Sequence, residues 1–225
     1  MFERLAAIVP AYNAAPFIER VIGSISRFIP APQIIVVDDG STDGTGDAAA
    51  RSGALVVRHE TNRGKGAAIR TAVEVVRRMP RIDAVVMLDA DGQHDPSEIP
   101  EFAAAFAKGG SDLVVGNRMA AAGAMPPIRV FTNRLTSAIV SMRAGQRIPD
   151  TQNGYRLIRA ALLTKLHLVT SRYEIESEMI IKACRAGGTA VSIPVRTIYG
   201  SERSAIHPLR DTIRFIALVI KSLFW

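Results

Sequence analysis

The chain has 225 residues, of which 48% are hydrophobic and 22% charged, with one cysteine and a net charge of +7. These values exclude a disordered chain, a disulfide framework and a cysteine-rich metal centre, and they suit one α/β domain. Residues 1–113 carry 12 Lys and Arg against 15 Asp and Glu, whereas residues 114–225 carry 16 against 6. The acidic half suits a cation site and the basic half an anionic partner, unless the basic residues only solvate helices.

The first half of the chain alternates short apolar runs with helical patterns. Strands are predicted at 5–9, 33–37, 54–58, 83–88 and 112–115, and helices at 16–28, 43–51, 65–79 and 96–108. Such alternation predicts a Rossmann-like, mostly parallel sheet flanked by helices, with ligands beyond the carboxyl ends of its strands.

The pattern changes in the second half. Helices are predicted at 129–144, 173–186 and 208–224, and a strand at 190–195. Residues 1–206 are expected to form one domain, and residues 207–225 a C-terminal amphipathic helix. Its apolar side carries Ile213, Ile216, Ala217, Ile220 and Phe224, and Arg210, Arg214 and Lys221 lie opposite. This pattern fits either contact with a membrane interface or a helix packed on the domain.

A carboxylate pair follows the fourth predicted strand, in Asp89-Ala90-Asp91-Gly92-Gln93. Side chains alternate in an extended chain, so Asp89, Asp91 and Gln93 are expected to face one side. Three oxygen ligands suit Mg²⁺ or Mn²⁺, and two adjacent carboxylates repel each other unless a cation neutralises them. Asp95 is expected to cap the next helix instead, with Glu98 at its third position.

Other polar groups end the first two strands. Tyr12, in Pro10-Ala11-Tyr12-Asn13, offers a ring on which a nucleobase can stack. Asp38 and Asp39 precede a glycine-containing turn, where carboxylates can accept hydrogen bonds from a base or a ribose. In Asn62-Arg63-Gly64-Lys65-Gly66, glycines and a helix N-terminus favour phosphate, and the two cations add positive charge.

In this order, these motifs resemble the family-2 inverting glycosyltransferases of the GT-A fold, and most closely dolichol-phosphate mannosyltransferase and its bacterial polyprenyl-phosphate relatives. The similarity continues through Gly116-Asn117-Arg118 and residues 150–156 to about residue 208. It implies a metal-dependent enzyme that moves a hexose, mannose or glucose, from a GDP- or UDP-sugar to a polyprenyl or dolichyl phosphate.

The resemblance also implies roles for individual residues. Arg118, Arg129 and Asn133 are placed to bind the acceptor phosphate, and Asp91 with the two arginines forms the catalytic group. The donor is expected to contact Pro10, Tyr12, Asn13, Asp38, Asp39, Gly64, Lys65, Asp89, Ala90 and Arg203. Arg203 lies in a loop, residues 199–204, that resembles a segment closing over the donor; its alternative is a solvated loop charge.

The nature of the acceptor decides whether a base is needed. A phosphate monoester is already largely ionised near neutral pH, with a second pKa of about 6. The alternative acceptor, a saccharide hydroxyl in cell-envelope polysaccharide synthesis, needs a base, for which Asp150, Glu174, Glu176 and Glu178 are candidates. A third hypothesis, a nucleic-acid-binding module, rests only on the basic charge, and no motif supports it.

The sequence also predicts a location for the protein. No signal peptide and no apolar run of membrane-spanning length is apparent. We therefore expect a cytoplasmic protein, peripheral on the cytoplasmic face of a membrane, whose partners are a nucleotide-sugar, a lipid phosphate and the membrane surface but no nucleic acid.

Overall fold

The computed structural model describes residues 4–119, 125–196, 198 and 208–225. Within them one sheet contains the strands β1 (Leu5–Ala11), β2 (Ile34–Asp38), β3 (Leu55–Arg58), β4 (Ala84–Met87), β5 (Leu113–Asn117), β6 (Arg156–Arg159) and β7 (Ala190–Pro194). The strand order is β3-β2-β1-β4-β6-β5-β7, and all neighbouring pairs are parallel except the two that contain β6. The predicted, mostly parallel sheet is confirmed.

Helices cover both faces of this sheet. They are α1 (Ala15–Ile25), α2 (Thr45–Arg51), α3 (Lys65–Arg78), α4 (Ile99–Ala107), α5 (Pro127–Ala144), α6 (Ala160–Leu163), α7 (Ile175–Arg185) and α8 (Pro208–Lys221). Successive strand residues point to opposite faces, so Ile8 and Ile35 pack with α3 and α7, whereas Val9 and Val36 pack with α1 and α4. The central strands β1 and β4 are apolar because both of their faces are buried.

Strand β6 was not predicted from the sequence. It lies between β4 and β5 and runs antiparallel to both. Because its direction is reversed, the start of β6 lies at the same sheet edge as the carboxyl ends of its two neighbours. The loop that precedes it, with Asp150, Asn153 and Gly154, is thereby brought to the edge where ligands bind in parallel sheets.

The C-terminal helix α8 packs on the domain along one side. Leu218 is buried, and Ser222, just past the helix, is fully buried. The Ser222 carbonyl accepts hydrogen bonds from Arg143 at 2.6 Å and Arg185 at 2.9 Å. No helix in the described part of the chain is long and apolar enough to cross a membrane.

Candidate active site

The polar motifs meet at one edge of the sheet, as predicted. Strands β1, β2 and β4 are parallel neighbours, so Tyr12, Asp39 and Asp89 follow adjacent strand ends. Lys65 begins α3 on the same side, and it links this group to the second half of the chain through Glu176.

Asp39 fixes the loop that leads into α3. Its Oδ1 accepts hydrogen bonds from the Arg63 N–H at 2.9 Å and pairs with His59 Nδ1 at 2.6 Å, and its Oδ2 accepts from the Gly64 N–H at 2.7 Å. Both carboxylate oxygens therefore have donors within the protein. The side chain is buried, so its loss would leave three polar groups without their partner.

Asn13 joins the β1 and β2 ends. Its N–H donates to Ser41 Oγ at 2.9 Å, and its Oδ1 accepts from the Thr42 N–H at 3.0 Å. Asp38 Oδ1 accepts from the Ser41 N–H at 2.9 Å. Tyr12, by contrast, is 51% exposed, so its ring is accessible from solvent beside this fixed loop.

The segment from Asp89 to Gln93 is a turn and not an extension of β4. The strand ends at Met87, and Gly92 has a φ of +75°, a left-handed conformation that glycine adopts without strain. The expectation that alternation along an extended chain aligns Asp89, Asp91 and Gln93 is therefore wrong. The Gln93 N–H donates to Asp91 Oδ1 at 3.0 Å, so the turn itself orients the Asp91 carboxylate.

Lys65 lies between two carboxylates. Its Nζ is 2.6 Å from Asp89 Oδ1 and 2.5 Å from Glu176 Oε1. Burial alone would raise the pKa of Asp89, but the charge and hydrogen bond of Lys65, together with His94 and Arg156, outweigh burial and hold that pKa well below its usual range. Burial would likewise lower the pKa of Lys65, but the two carboxylates raise it above its ordinary value.

The N–H groups at the start of α3 already have acceptors. The Ser171 carbonyl accepts from the Gly66 N–H at 2.9 Å and from the Ala67 N–H at 3.3 Å. A Cβ on Gly66 would lie 2.7 Å from the Thr170 carbonyl oxygen. The space beside Gly66 is thus filled by the backbone of residues 170–171 and not by a phosphate. The positive charge in the site comes from the Lys65 side chain.

Two neighbours of the carboxylate turn are structural. His94 is buried, and its Nδ1 accepts a hydrogen bond from the Asp89 N–H at 3.1 Å. Asp95 accepts from the Ser97 N–H at 2.9 Å, so the predicted cap is confirmed. Glu98 does not complete a capping box, because its Oε1 accepts from the Arg196 N–H at 2.9 Å instead.

Asp150 holds two of the predicted phosphate-binding residues together. It is fully buried and accepts from Arg118 Nε at 2.8 Å, from Arg118 Nη2 at 3.0 Å and from Asn133 Nδ2 at 2.9 Å. Burial alone would raise the pKa of Asp150, but the charge of Arg118 and the hydrogen bonds from Arg118 and Asn133 outweigh burial and hold that pKa below the ordinary value of an aspartate. A carboxylate paired in this way orients Arg118, and it is a poor proton acceptor.

The remaining predicted cations differ in their surroundings. Arg129 lies in the first turn of α5, about one helical turn before Asn133, and its side chain is exposed. It forms no ion pair with the residues that the structure describes. Arg203 lies outside the described residues.

Two of the glutamates considered as bases have strong partners. Glu178 is fully buried and accepts from the Val169 N–H, the Thr170 N–H and hydroxyl, and Lys182 Nζ, at 2.6–2.9 Å. These contacts give it a structural role in holding the loop before α7. Glu176 pairs with Lys65, and its Oε2 lies 3.9 Å from the Arg156 guanidinium. Sequence reasoning identified Glu176 only as a possible base, since its partner is 111 residues away in sequence.

Asp89 offers a carboxylate oxygen of the kind that a hard divalent cation binds. A Cβ on Gly154 would lie 3.0 Å from Asp89 Oδ2, so the missing side chain leaves room beside that oxygen. The bound Lys65 ammonium demonstrates that cationic charge is stabilised at this carboxylate. No group of three or more His, Cys, Asp or Glu able to hold a metal occurs among the described residues. Two carboxylates with the Gln93 amide would leave the other ligand positions to water and diphosphate, as Mg²⁺ requires.

Comparison with known families identifies the chain. The family model described as "Glycosyl transferase family 2" matches residues 6–166. The chain belongs to glycosyl transferase family 2. It is therefore a glycosyltransferase, and its sheet and helices are those of the GT-A fold.

Named relatives of this glycosyltransferase support the resemblance seen in the sequence. The undecaprenyl-phosphate mannosyltransferase of Micrococcus luteus is 30% identical, with 85% of this chain and 82% of the relative covered. The polyprenol monophosphomannose synthase of Mycolicibacterium smegmatis is 30% identical, with 86% and 77% covered. Glucosyl-3-phosphoglycerate synthase from Mycobacterium tuberculosis, solved with Mn²⁺, UDP and glucosyl-3-phosphoglycerate, aligns at a TM-score of 0.72 and 25% identity over 98% of this chain and 78% of that one.

Proposed function

We propose that this enzyme transfers a hexose, mannose or glucose, from a GDP- or UDP-sugar to a polyprenyl or dolichyl phosphate, with inversion at the anomeric carbon. The names of the relatives support a lipid-phosphate acceptor, and the UDP in the solved neighbour supports a nucleotide-sugar donor. In this proposal residues 1–206 are the catalytic domain, and residues 207–225 assist contact with the membrane.

The observation that carries the acceptor assignment is the arrangement of Arg118, Asp150 and Asn133. Asp150 accepts hydrogen bonds from two N–H groups of the Arg118 guanidinium, and the Arg118 side chain is still 23% exposed. Its remaining donors are available to an anion that arrives from outside. With Arg129 exposed on the same helix as Asn133, this edge suits a phosphate monoester, which binds two cations and needs no base.

The alternative acceptor is a saccharide hydroxyl, which needs a carboxylate base. Asp150, Glu176 and Glu178 all have cationic partners in this structure. Glu174 is half-buried and forms no ion pair with a described residue, so it is the candidate base for this alternative. An unchanged chemical step in Glu174→Gln would argue against a hydroxyl acceptor.

Asp89, Asp91 and Gln93 are the residues proposed to hold Mg²⁺ or Mn²⁺. A divalent cation at this position would supply Lewis-acid stabilisation for the negative charge that develops on the departing nucleoside diphosphate. Lys65 adds a fixed positive charge on the same side. The proposal for the donor keeps Tyr12 as the ring that stacks on the base and Asp38 as an acceptor for the base or ribose.

The outward faces of α5 and α8 favour a membrane surface as a further partner. On α8, Ile213, Ile216 and Ile220 are each more than half exposed, and Phe224 beyond the helix is 85% exposed. The side of α8 that packs on the domain carries the ion pair between Asp211 and Arg214, at 3.0 Å. The same side buries Leu218 and packs Phe215 on the core, so α8 carries a second, outward apolar side where a solvated surface helix would be polar.

Helix α5 has an exposed apolar side of its own. Ile128, Phe131, Leu135 and Met142 are 52–73% exposed and follow helical spacing along one side. The opposite, buried side carries Asn133 of the phosphate-binding group. Exposed apolar patches flanked by cations suit an interfacial position on an anionic bilayer, and we propose that the enzyme is peripheral on its cytoplasmic face.

Transfer of label tests this function directly. Purified enzyme with Mn²⁺ would be incubated with labelled GDP-mannose, UDP-glucose or GDP-glucose and a polyprenyl phosphate in detergent. We expect label in the organic-extractable fraction with one donor, and a large loss of it in Arg118→Gln. If no donor labels the lipid phosphate but one labels a saccharide, the alternative acceptor replaces this proposal.

A further inference from the structure

Three charged side chains converge over Gly154. A Cβ built on that glycine would lie 3.0 Å from Asp89 Oδ2 and 3.1 Å from both Lys65 Nζ and Glu176 Oε1. The side chains come from three separate elements: the turn after β4, the start of α3 and the start of α7. Lys65 and Glu176 are only 14% and 10% exposed. Their pairing is therefore a built part of the site and not a surface ion pair.

A buried arginine, Arg156, in turn holds Glu176 in place. Arg156 is 1% exposed, and its Nη1 donates to the Glu176 carbonyl at 2.8 Å while its Nη2 donates to the Asn153 carbonyl at 2.6 Å. The same guanidinium lies 3.9 Å from Glu176 Oε2. Arg156 thus fixes the position of the Glu176 carboxylate, and this carboxylate in turn fixes the position of the Lys65 ammonium.

We propose that Glu176 is a positioning residue for the donor site, which shares the Lys65 ammonium with Asp89 and so keeps Asp89 able to bind a divalent cation. This inference rests on the proposed function and deepens it. Lys65 divides its charge between Asp89 and Glu176, and the more distant Arg156 adds a second positive charge near Glu176, so the four groups together carry no net charge. Without Glu176, Lys65 would neutralise Asp89 alone, and the local charge would rise by one unit.

The two partners of this ion pair predict opposite changes in metal affinity. Glu176→Gln removes a negative charge near the cation, so Mn²⁺ alone should bind more weakly, by at least about tenfold, the effect of a unit charge about 6 Å from a divalent cation even at the dielectric constant of water. Lys65→Met removes a competing positive charge, so Mn²⁺ alone should bind more tightly. The same Lys65→Met variant should bind the nucleoside diphosphate with Mn²⁺ more weakly, because a diphosphate contact is lost.

Binding of Mn²⁺ to the full chain, measured by electron paramagnetic resonance of the free ion, tests the inference without turnover. Glu174→Gln is the matched control, since it removes a half-buried carboxylate on the same segment that does not contact Lys65. It should leave Mn²⁺ affinity unchanged. A loss of affinity that is equal in Glu174→Gln and Glu176→Gln would overturn the proposal.

Other outcomes are equally decisive. Unchanged Mn²⁺ affinity in a folded Glu176→Gln variant overturns the positioning role while leaving the proposed function intact. If that variant does not fold, Lys65→Met decides, and weaker or unchanged Mn²⁺ binding in it overturns the proposal. If wild-type enzyme binds neither Mn²⁺ nor GDP or UDP with Mn²⁺, the proposed function itself fails.

Discussion

Replacing Asp150 by Asn should destabilise the enzyme strongly, because the change leaves the partly buried Arg118 guanidinium without its carboxylate partner. Asp150 is fully buried and accepts three hydrogen bonds from Arg118, including one from its backbone N–H, and one from Asn133. An asparagine of the same shape would turn an amide nitrogen towards these donors. The variant therefore tests a specific set of contacts without opening a cavity.

The magnitude follows from the surroundings of the pair. Removing one partner of a buried ion pair costs about 3–5 kcal/mol, and the partial exposure of Arg118 reduces this to about 2–4 kcal/mol. For a chain of this size, each kcal/mol lowers Tm by roughly 2–4 °C, so the fall should be about 5–15 °C. Asp47→Asn, which breaks the exposed pair with Arg58, is the control and should leave Tm unchanged.

Thermal unfolding followed by circular dichroism would measure both variants at pH 7. The folded-state pKa of Asp150 is depressed, so its contribution is fully present above the ordinary pKa of an aspartate and is lost as pH falls through the depressed value. The difference in Tm between wild type and Asp150→Asn should accordingly be constant near neutral pH and become smaller only in strong acid. A Tm for Asp150→Asn within error of wild type would refute this account of the pair.

Three further predictions concern the metal, the α3 start and the apolar surface. Chelation should abolish hexose transfer and added Mn²⁺ or Mg²⁺ restore it; full activity after chelation would exclude metal dependence. Gly66→Ala should cost about 1–3 kcal/mol of unfolding free energy, since its Cβ would meet backbone atoms, whereas Gly23→Ala in open space should gain about 0.5–1 kcal/mol; equal effects would contradict the packing. The double change Ile216→Asp and Phe224→Asp should reduce co-sedimentation with anionic vesicles without lowering Tm; unchanged binding would remove α8 from the membrane surface.

The sequence predicted the elements whose signals are local. Strands β1 to β5 are apolar runs, and their predicted positions agree with the structure to within two residues. Asp95 was recognised as a cap because its donor is two residues away. Strand β6 was missed because it begins and ends with arginine. One of these, Arg156, is buried because it donates to the carbonyl of Glu176, 20 residues away in sequence, and to that of Asn153 in the preceding loop. A short strand with charged ends carries no period-2 signal.

The site was predictable as a set of residues but not as a set of contacts. The motifs placed Lys65 and Asp89 at one edge because parallel strands end together, and the family resemblance assigned Arg118 to the same site. Their partners Glu176 and Asp150 were considered as bases, since a sequence does not reveal which carboxylates are already paired. The turn at Gly92 was also not foreseen, because the end of β4 depends on its pairing with β1 and β6.

The position of β6 has a consequence for how the chain folds during synthesis. Strand β4 reaches β5 only through β6, so the first four strands cannot be extended until residue 159 has left the ribosome, and β7 can join β5 only after residue 194. Until then β4 is an unpaired, apolar edge strand of the nascent chain. Chaperones bind this kind of surface. A stop or pause before β6 should yield an aggregation-prone fragment, and a library of truncations should become soluble only after β6 is included.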